Sequence, residues 1–243
     1  MLSVLAGCCS TLRETGNTNT TRYISNEANV EHLMHATVSV LDPKEASPVC
    51  TGFFISPDLI MSARHCFDQD AKTDEDLEAA KAWLTTQDLS IVKYDAYKSP
   101  GRTVVSNEVE VVYFPLGMMK PHNENDMVIL KLKDTEPKSV HWLHLATKNP
   151  PKGARVYTVS LPRGQPWILH QGVVSQYYYD WEEFPRVTML AVAMQLDGGS
   201  SGAALVNDAG QVVGLSHRLD KIKHNAVYLP VETLNKMLKP LEL

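Results

Sequence analysis

The segment Asp197-Gly198-Gly199-Ser200-Ser201-Gly202-Ala203-Ala204-Leu205 holds residue types suited to acyl transfer. A glycine-rich turn there presents a serine and runs straight into an apolar strand. Such a turn can aim backbone N–H groups at one point beside a hydroxyl, where a tetrahedral intermediate would place its new negative oxygen. A serine hydroxyl is a poor nucleophile at neutral pH. It needs a base within hydrogen-bond reach, and that base needs a fixed tautomer. Two upstream segments offer the missing parts. Met61-Ser62-Ala63-Arg64-His65-Cys66 supplies a histidine, and Asn125-Asp126-Met127-Val128-Ile129-Leu130-Lys131-Leu132 supplies an aspartate. Each residue also has a plainer reading: His65 as a core histidine, Asp126 as a strand-start turn residue, Ser201 as a turn serine. The three roles stand or fall together.

The rest of the chain must hold these side chains in place. Short apolar runs recur with turn signals between them, at Ala36–Leu41, Thr51–Ile55, Leu59–Ala63, Leu89–Tyr94, Glu108–Phe114 and Met127–Leu132. A second set follows at Arg155–Leu161, Gly172–Tyr177, Val187–Met194, Ala203–Val206, Val212–Leu215 and Ala226–Leu229. Ser56-Pro57-Asp58 reads as a compact turn, and Asn207-Asp208-Ala209-Gly210 as a hairpin loop. Many short strands in two groups predict an all-β protein of two barrels. Two helices are predicted besides. One, Thr73–Leu84, has acidic residues in its first turn and Leu77, Ala80 and Leu84 on one face. The other is a C-terminal helix over Val231–Leu238. The expected division is a start and flexible tether over residues 1–29, a first barrel over 30–140 with His65 and Asp126, and a second barrel over 141–243 with Ser201.

From about Ala36 to the C-terminus the chain resembles the chymotrypsin-like (trypsin-fold) serine peptidases. Three anchors support the resemblance: Ala63-Arg64-His65-Cys66, Asp126-Met127-Val128-Ile129, and Gly199-Ser200-Ser201-Gly202-Ala203-Ala204, in the family's order. The third departs most from trypsin and is closer to bacterial branches. The resemblance implies two packed antiparallel six-stranded β-barrels with a C-terminal helix. It implies a serine endopeptidase acting through an acyl-enzyme, with catalytic His65, Asp126 and Ser201. The oxyanion hole would be the N–H groups of Gly199 and Ser201. Peptide or protein is the implied substrate, with no cofactor and no metal. Ser201 fits the Gly-x-Ser-Gly pattern, whereas Ser200 as nucleophile would put a Cβ-bearing residue next in the turn. Trypsin-type zymogens carry an Asp where Ser200 stands, so activation by cleavage near Ala36 is not expected. Two alternatives remain on these residues: a non-catalytic binding protein on the same fold, and an esterase using the same triad.

Substrate preference is less specified. By analogy Gln195, six before Ser201, would floor the primary pocket, which argues against a preference for Arg or Lys. Ser216 and His217 would line its wall. Glutamyl endopeptidases carry a His one position earlier, so an acidic preference rests on a shifted register. His32-x-x-His35 and His141-x-x-His144 have spacings a metal could use, but no acidic or thiol partner stands in register, and they read as structural. Tyr177-Tyr178-Tyr179-Asp180-Trp181 reads equally as a cleft wall or an exposed turn.

Composition bounds the rest. The 243 residues are 44% hydrophobic with a net charge of −5. That is enough apolar material for a core, and no Lys/Arg run suggests a nucleic-acid face. No apolar stretch approaches the roughly 20 residues that span a bilayer. Four cysteines fall in two pairs. The resemblance implies that Cys50 and Cys66 form the disulfide beside the histidine, worth roughly 3 kcal/mol in chain-entropy terms; two buried thiols are the other reading. A disulfide implies an extracytoplasmic, oxidising location, secreted or at the surface or periplasm. Leu5-Ala6-Gly7-Cys8 ends like a bacterial lipoprotein signal, which would make Cys8 a lipidation site and give membrane attachment through an N-terminal lipid. The lack of a basic start leaves a plain apolar start equally open.

Overall fold

The computed structural model describes residues 27–44, 47–68, 73–94, 106–116, 126–133, 141–162, 165, 167–180, 184–220 and 225–241. Cys8 and Trp181 lie outside them, as do most of the expected tether and residues 134–140.

Twelve strands close into two barrels. The first holds β1 (Thr37–Leu41), β2 (Pro48–Phe54), β3 (Leu59–Ser62), β4 (Leu89–Lys93), β5 (Ser106–Tyr113) and β6 (Val128–Leu132). The second holds β7 (Arg155–Ser160), β8 (Ile168–Asp180), β9 (Phe184–Ala193), β10 (Ala204–Val206), β11 (Val212–Asp220) and β12 (Asn225–Pro230). The ladder order is β1-β2-β3-β6-β5-β4 in one barrel and β10-β11-β12-β9-β8-β7 in the other, with antiparallel pairing throughout. This is the expected fold class. Closure leaves no free sheet edge. All five residues of β1 are buried, and β6 exposes only Lys131.

Each barrel has its own apolar filling. Val38, Phe54, Ile60 and Leu130 pack in the first, and Val156, Leu190, Val192 and Leu205 in the second. A third cluster joins them: Phe53, Met61 and Ile129 meet Tyr157, Val159 and Leu215. Trp167 Nε1 of the second barrel also donates to Thr37 O of the first at 3.0 Å. Full burial of each such side chain is worth about 1.5–3 kcal/mol, so this seam fixes one barrel against the other.

Among the described residues, three α-helices with described bounds lie on the outside. α1 (Glu27–Ala36) corrects the expectation of a tether to Asn29 and a strand from Ala36. Leu33 and Ala36 sink into the shared cluster, and the Thr37 hydroxyl closes the helix end on Leu33 O at 2.8 Å. α2 (Asp74–Leu84) begins at Thr73, whose side chain and that of Asp76 cap each other's backbone N–H groups; Leu77 and Leu84 are buried. α3 (Val231–Leu238) buries Val231, Leu234 and Leu238. The Ser56–Asp58 turn forms as expected, with Leu59 N donating to Ser56 Oγ at 3.0 Å. Asn207–Gly210 closes the β10–β11 hairpin, and Gly210 adopts φ 76° there. Strands β8, β9 and β11 run longer than the expected apolar runs, with β8 pairing to β9 as far as Asp180 and β11 to β12 as far as Asp220.

Candidate active site

His65 sits in a 3₁₀ turn (Arg64–Cys66) directly after β3. The turn is pinned on both sides. Cys66 is bonded to Cys50 of β2, with their Cα atoms 6.3 Å apart. Arg64, 1% exposed, donates from Nη1 to Pro115 O at 2.7 Å and places Nε 2.9 Å from Asp68 Oδ2. Burial lifts the Asp68 carboxyl to about 6 against the pull of Arg64.

Asp126 precedes β6, which pairs with β3, so the sheet register delivers it to His65. Its side chain is 1% exposed. The His65 backbone N–H donates to Oδ1 at 2.9 Å, and His65 Nδ1 lies 2.9 Å from Oδ2 and 3.1 Å from Oδ1. Burial alone would raise this carboxyl. The His65 and His217 imidazoles outweigh burial and hold it far below the usual carboxylate range. An ionised carboxylate only accepts hydrogen bonds, so Nδ1 of His65 carries the proton and Nε2 is left as the lone pair. Burial would lower His65, but the charge of Asp126 and its hydrogen bond prevail and raise it above 6.5.

Ser201 follows β9 in the turn before β10. The first barrel fastens this turn through Thr51 of β2. Thr51 N donates to Ser201 O at 2.9 Å, and Thr51 Oγ1 donates to Gly199 O at 2.8 Å. The same Oγ1 accepts from Leu161 N at 3.2 Å. Gly199 and Gly202 adopt φ of 94° and 82°. A Cβ on Gly202 would stand 2.2 Å from Thr51 O and 2.8 Å from Ala63 N, two residues before His65. Hence the serine turn lies directly against the strand end that carries the histidine. Among the described residues, the N–H groups of Gly199 and Ser201 donate to no protein acceptor. Ser200 is turned inward instead, 2% exposed, with its hydroxyl 3.0 Å from Ser160 Oγ.

No local signal marks Thr51 beyond its place after Cys50, nor Ser160. Thr51→Val should leave Gly199 O and Leu161 N without their partner. The expected loss is about 2 kcal/mol, a fall of about 4–8 °C in Tm by circular dichroism. An unchanged Tm would show that Thr51 does not bear on the turn.

The three expected pocket residues separate. Gln195 is exposed on a cavity of about 350 Å³, lined also by Pro162, Gln165, Ile168, His170, Leu196 and Asp197. Ser216 and His217 do not line it. Ser216 is buried and pairs its backbone with Gly202 and Ala203. His217 turns its Nδ1 onto Asp126 Oδ2. Of the paired-histidine motifs, His32 and His141 meet at Nδ1, 3.1 Å apart, while His35 stacks on His141. They join α1 to the residues leading into the second barrel. Tyr177 donates to Pro150 O at 2.5 Å.

Among the described residues, one group of three potential metal ligands has all its ligand atoms within 4.8 Å: His65, Asp126 and His217. Both imidazoles direct Nδ1 at the carboxylate itself. The arrangement suits two N–H donors on one anion, and donors engaged in this way offer no lone pair to a cation.

Two closed six-stranded barrels, with a histidine–aspartate pair on one and a serine turn on the other at their seam, define a protein of the trypsin-like class. Residues 50–215 match the trypsin-like peptidase domain, and the chain belongs to that family. Solved structures share the fold. The active form of the Rv3671c protease from M. tuberculosis superimposes with a TM-score of 0.64 at 18% identity, covering 88% of this chain and 84% of that one. The HtrA-type protease AlgW with a decapeptide gives 0.64 at 14% identity, over 88% of this chain and 66% of that one. The serine endoprotease from Yersinia pestis gives 0.60 at 16% identity, over 88% and 65%. No curated protein matches this chain in sequence.

Proposed function

We propose that this protein is a serine endopeptidase that cleaves peptide bonds through an acyl-enzyme at Ser201. The observation that supports this most is His65, held as an Nδ1–H tautomer by buried Asp126 and set against the turn bearing Ser201. His65 Nε2 takes the Ser201 proton as Oγ attacks the carbonyl carbon. Asp126 stabilises the imidazolium that forms. The N–H groups of Gly199 and Ser201 receive the oxyanion, each worth roughly 3 kcal/mol of barrier. His65 then returns the proton to the leaving amine, and water releases the acyl group by the same steps in reverse order.

Ser200, bonded to Ser160 rather than to a chain terminus, supports activity without a cleavage step. The Cys50–Cys66 disulfide supports an extracytoplasmic location. No helix among the described residues is long and apolar enough to cross a membrane. Lipid attachment at Cys8 is read from the sequence alone, and the intact mass of the N-terminal peptide tests it.

The test is a fluorophosphonate probe followed by peptide mapping, with a protein digest read by mass spectrometry. Label on Ser201 together with cleaved peptides is expected. Label without cleavage would make the protein an esterase. No label would make it a binding protein on this fold.

A further inference from the structure

Asp126 is held by two histidines. In β11 the ladder to β12 pairs Ser216 with Tyr228 and Arg218 with Val227, leaving His217 as an extra residue. Such a bulge breaks the alternation of side chains and re-aims one of them. Here Ser216 and His217 are both buried, at 3% and 6% exposure, although they are neighbours in a strand. His217 Nδ1 reaches Asp126 Oδ2, the same oxygen that faces His65 Nδ1. The two rings meet edge to face, with centroids 5.5 Å apart. Oδ2 therefore sits between two N–H donors, one on the general base and one from the barrel that carries the serine.

We propose that His217 is a positioning residue for the triad, which anchors Asp126 from the second barrel and shares its charge with His65. The inference rests on the peptidase reading. Two consequences follow. First, Asp126 is oriented from both barrels, so the histidine–aspartate pair is registered to the barrel that holds Ser201. Second, hydrogen bonding to His217 draws electron density from Oδ2 and weakens the support that Asp126 gives a protonated His65. His217 is thus a brake on the basicity of the base as well as a clamp on its partner. Among the described residues, the other charges acting on this group are Arg64 and Asp68 on the His65 loop. They act on His65 in opposite senses and stand as an ion pair. Arg218 follows His217 in β11.

The test compares His217→Leu with His217→Asn, whose amide can still donate to Asp126. Leu is expected to lower kcat about tenfold with KM within about twofold. It should also move the acid limb of kcat/KM up by about half a pH unit, because Asp126 then serves His65 alone. Asn should recover kcat to within about threefold of wild type. NMR titration of His65 in the Ser201→Ala background reads the same shift without turnover. An unmoved acid limb and an unmoved His65 titration would overturn the proposal, as would a KM change that depends on the substrate side chain while kcat holds. Should His217→Leu fail to fold, the Asn variant decides, since kcat more than about tenfold below wild type contradicts a donor role. If wild-type protein shows no turnover that depends on Ser201, the peptidase reading fails. The NMR shift still judges His217.

Discussion

Asp126→Asn is expected to lower kcat about 10,000-fold while leaving the fold intact. The substitution is nearly isosteric, so packing around the buried site should hold. The change is one of proton placement. Asp126 accepts from His65 Nδ1 and from the His65 backbone N–H, and also from His217. An amide has a single acceptor oxygen and an NH₂ group that donates. Where the NH₂ faces His65, the ring must carry its proton on Nε2, and the lone pair that should take the serine proton is gone. The imidazolium also loses its counter-charge. The pH profile gives an independent reading. In wild type the acid limb of kcat/KM should lie above 6.5, because Asp126 raises His65 and the base works only when unprotonated. Activity is lost as pH falls through that raised value. In Asp126→Asn the limb should move down, since burial is then opposed only by Asp68, whose pull Arg64 counters. Stopped or burst kinetics across pH 5–9 check both, and a loss of kcat under tenfold would remove Asp126 from the mechanism.

Much of this arrangement was legible in the sequence, for local reasons. Val128–Leu132 is a short apolar run broken only by Lys131, as suits a strand buried on both faces, Thr73 and Asp76 form a cap, and Asn207–Gly210 is short and polar between two apolar runs. The order of His65, Asp126 and Ser201 supplied the candidate triad. What stayed hidden depends on closure of the barrels. Thr51 and Gly199 meet across 148 residues, and His217 and Asp126 across 91. No local spacing encodes such contacts. His217 was further concealed by its bulge: analogy sets it with Ser216 on the substrate wall, whereas the extra residue in the ladder turns it onto Asp126. Helix α1 escaped because its apolar residues Val30, Leu33, Met34 and Ala36 make a short stripe interspersed with His32 and His35. Its stability comes from the cluster it covers more than from its own pattern.

Gly202→Ala should damage both the stability and the turnover of the protein. Two costs combine. At φ 82° an alanine is strained by about 1 kcal/mol or more. Its Cβ would also stand 2.2 Å from Thr51 O, 2.5 Å from Ser62 Oγ and 2.8 Å from Ala63 N. Two of these are backbone atoms of barrel strands or their ends, which cannot swing aside. The third belongs to a buried hydroxyl committed to Thr51 O at 2.8 Å. Relief therefore requires the serine turn to lift off the first barrel and break the Thr51 contacts. The expected cost is about 4 kcal/mol, or about 8–16 °C in Tm, and kcat should fall at least about 100-fold because Ser201 moves away from His65. Gly198→Ala is the matched control, four residues earlier in the same segment. A Cβ there meets nothing within 4 Å, and a change under about 0.5 kcal/mol is expected. If the two variants melted and turned over alike, the close seating of the serine turn on the histidine barrel would be wrong, and the shared site would lose its physical basis.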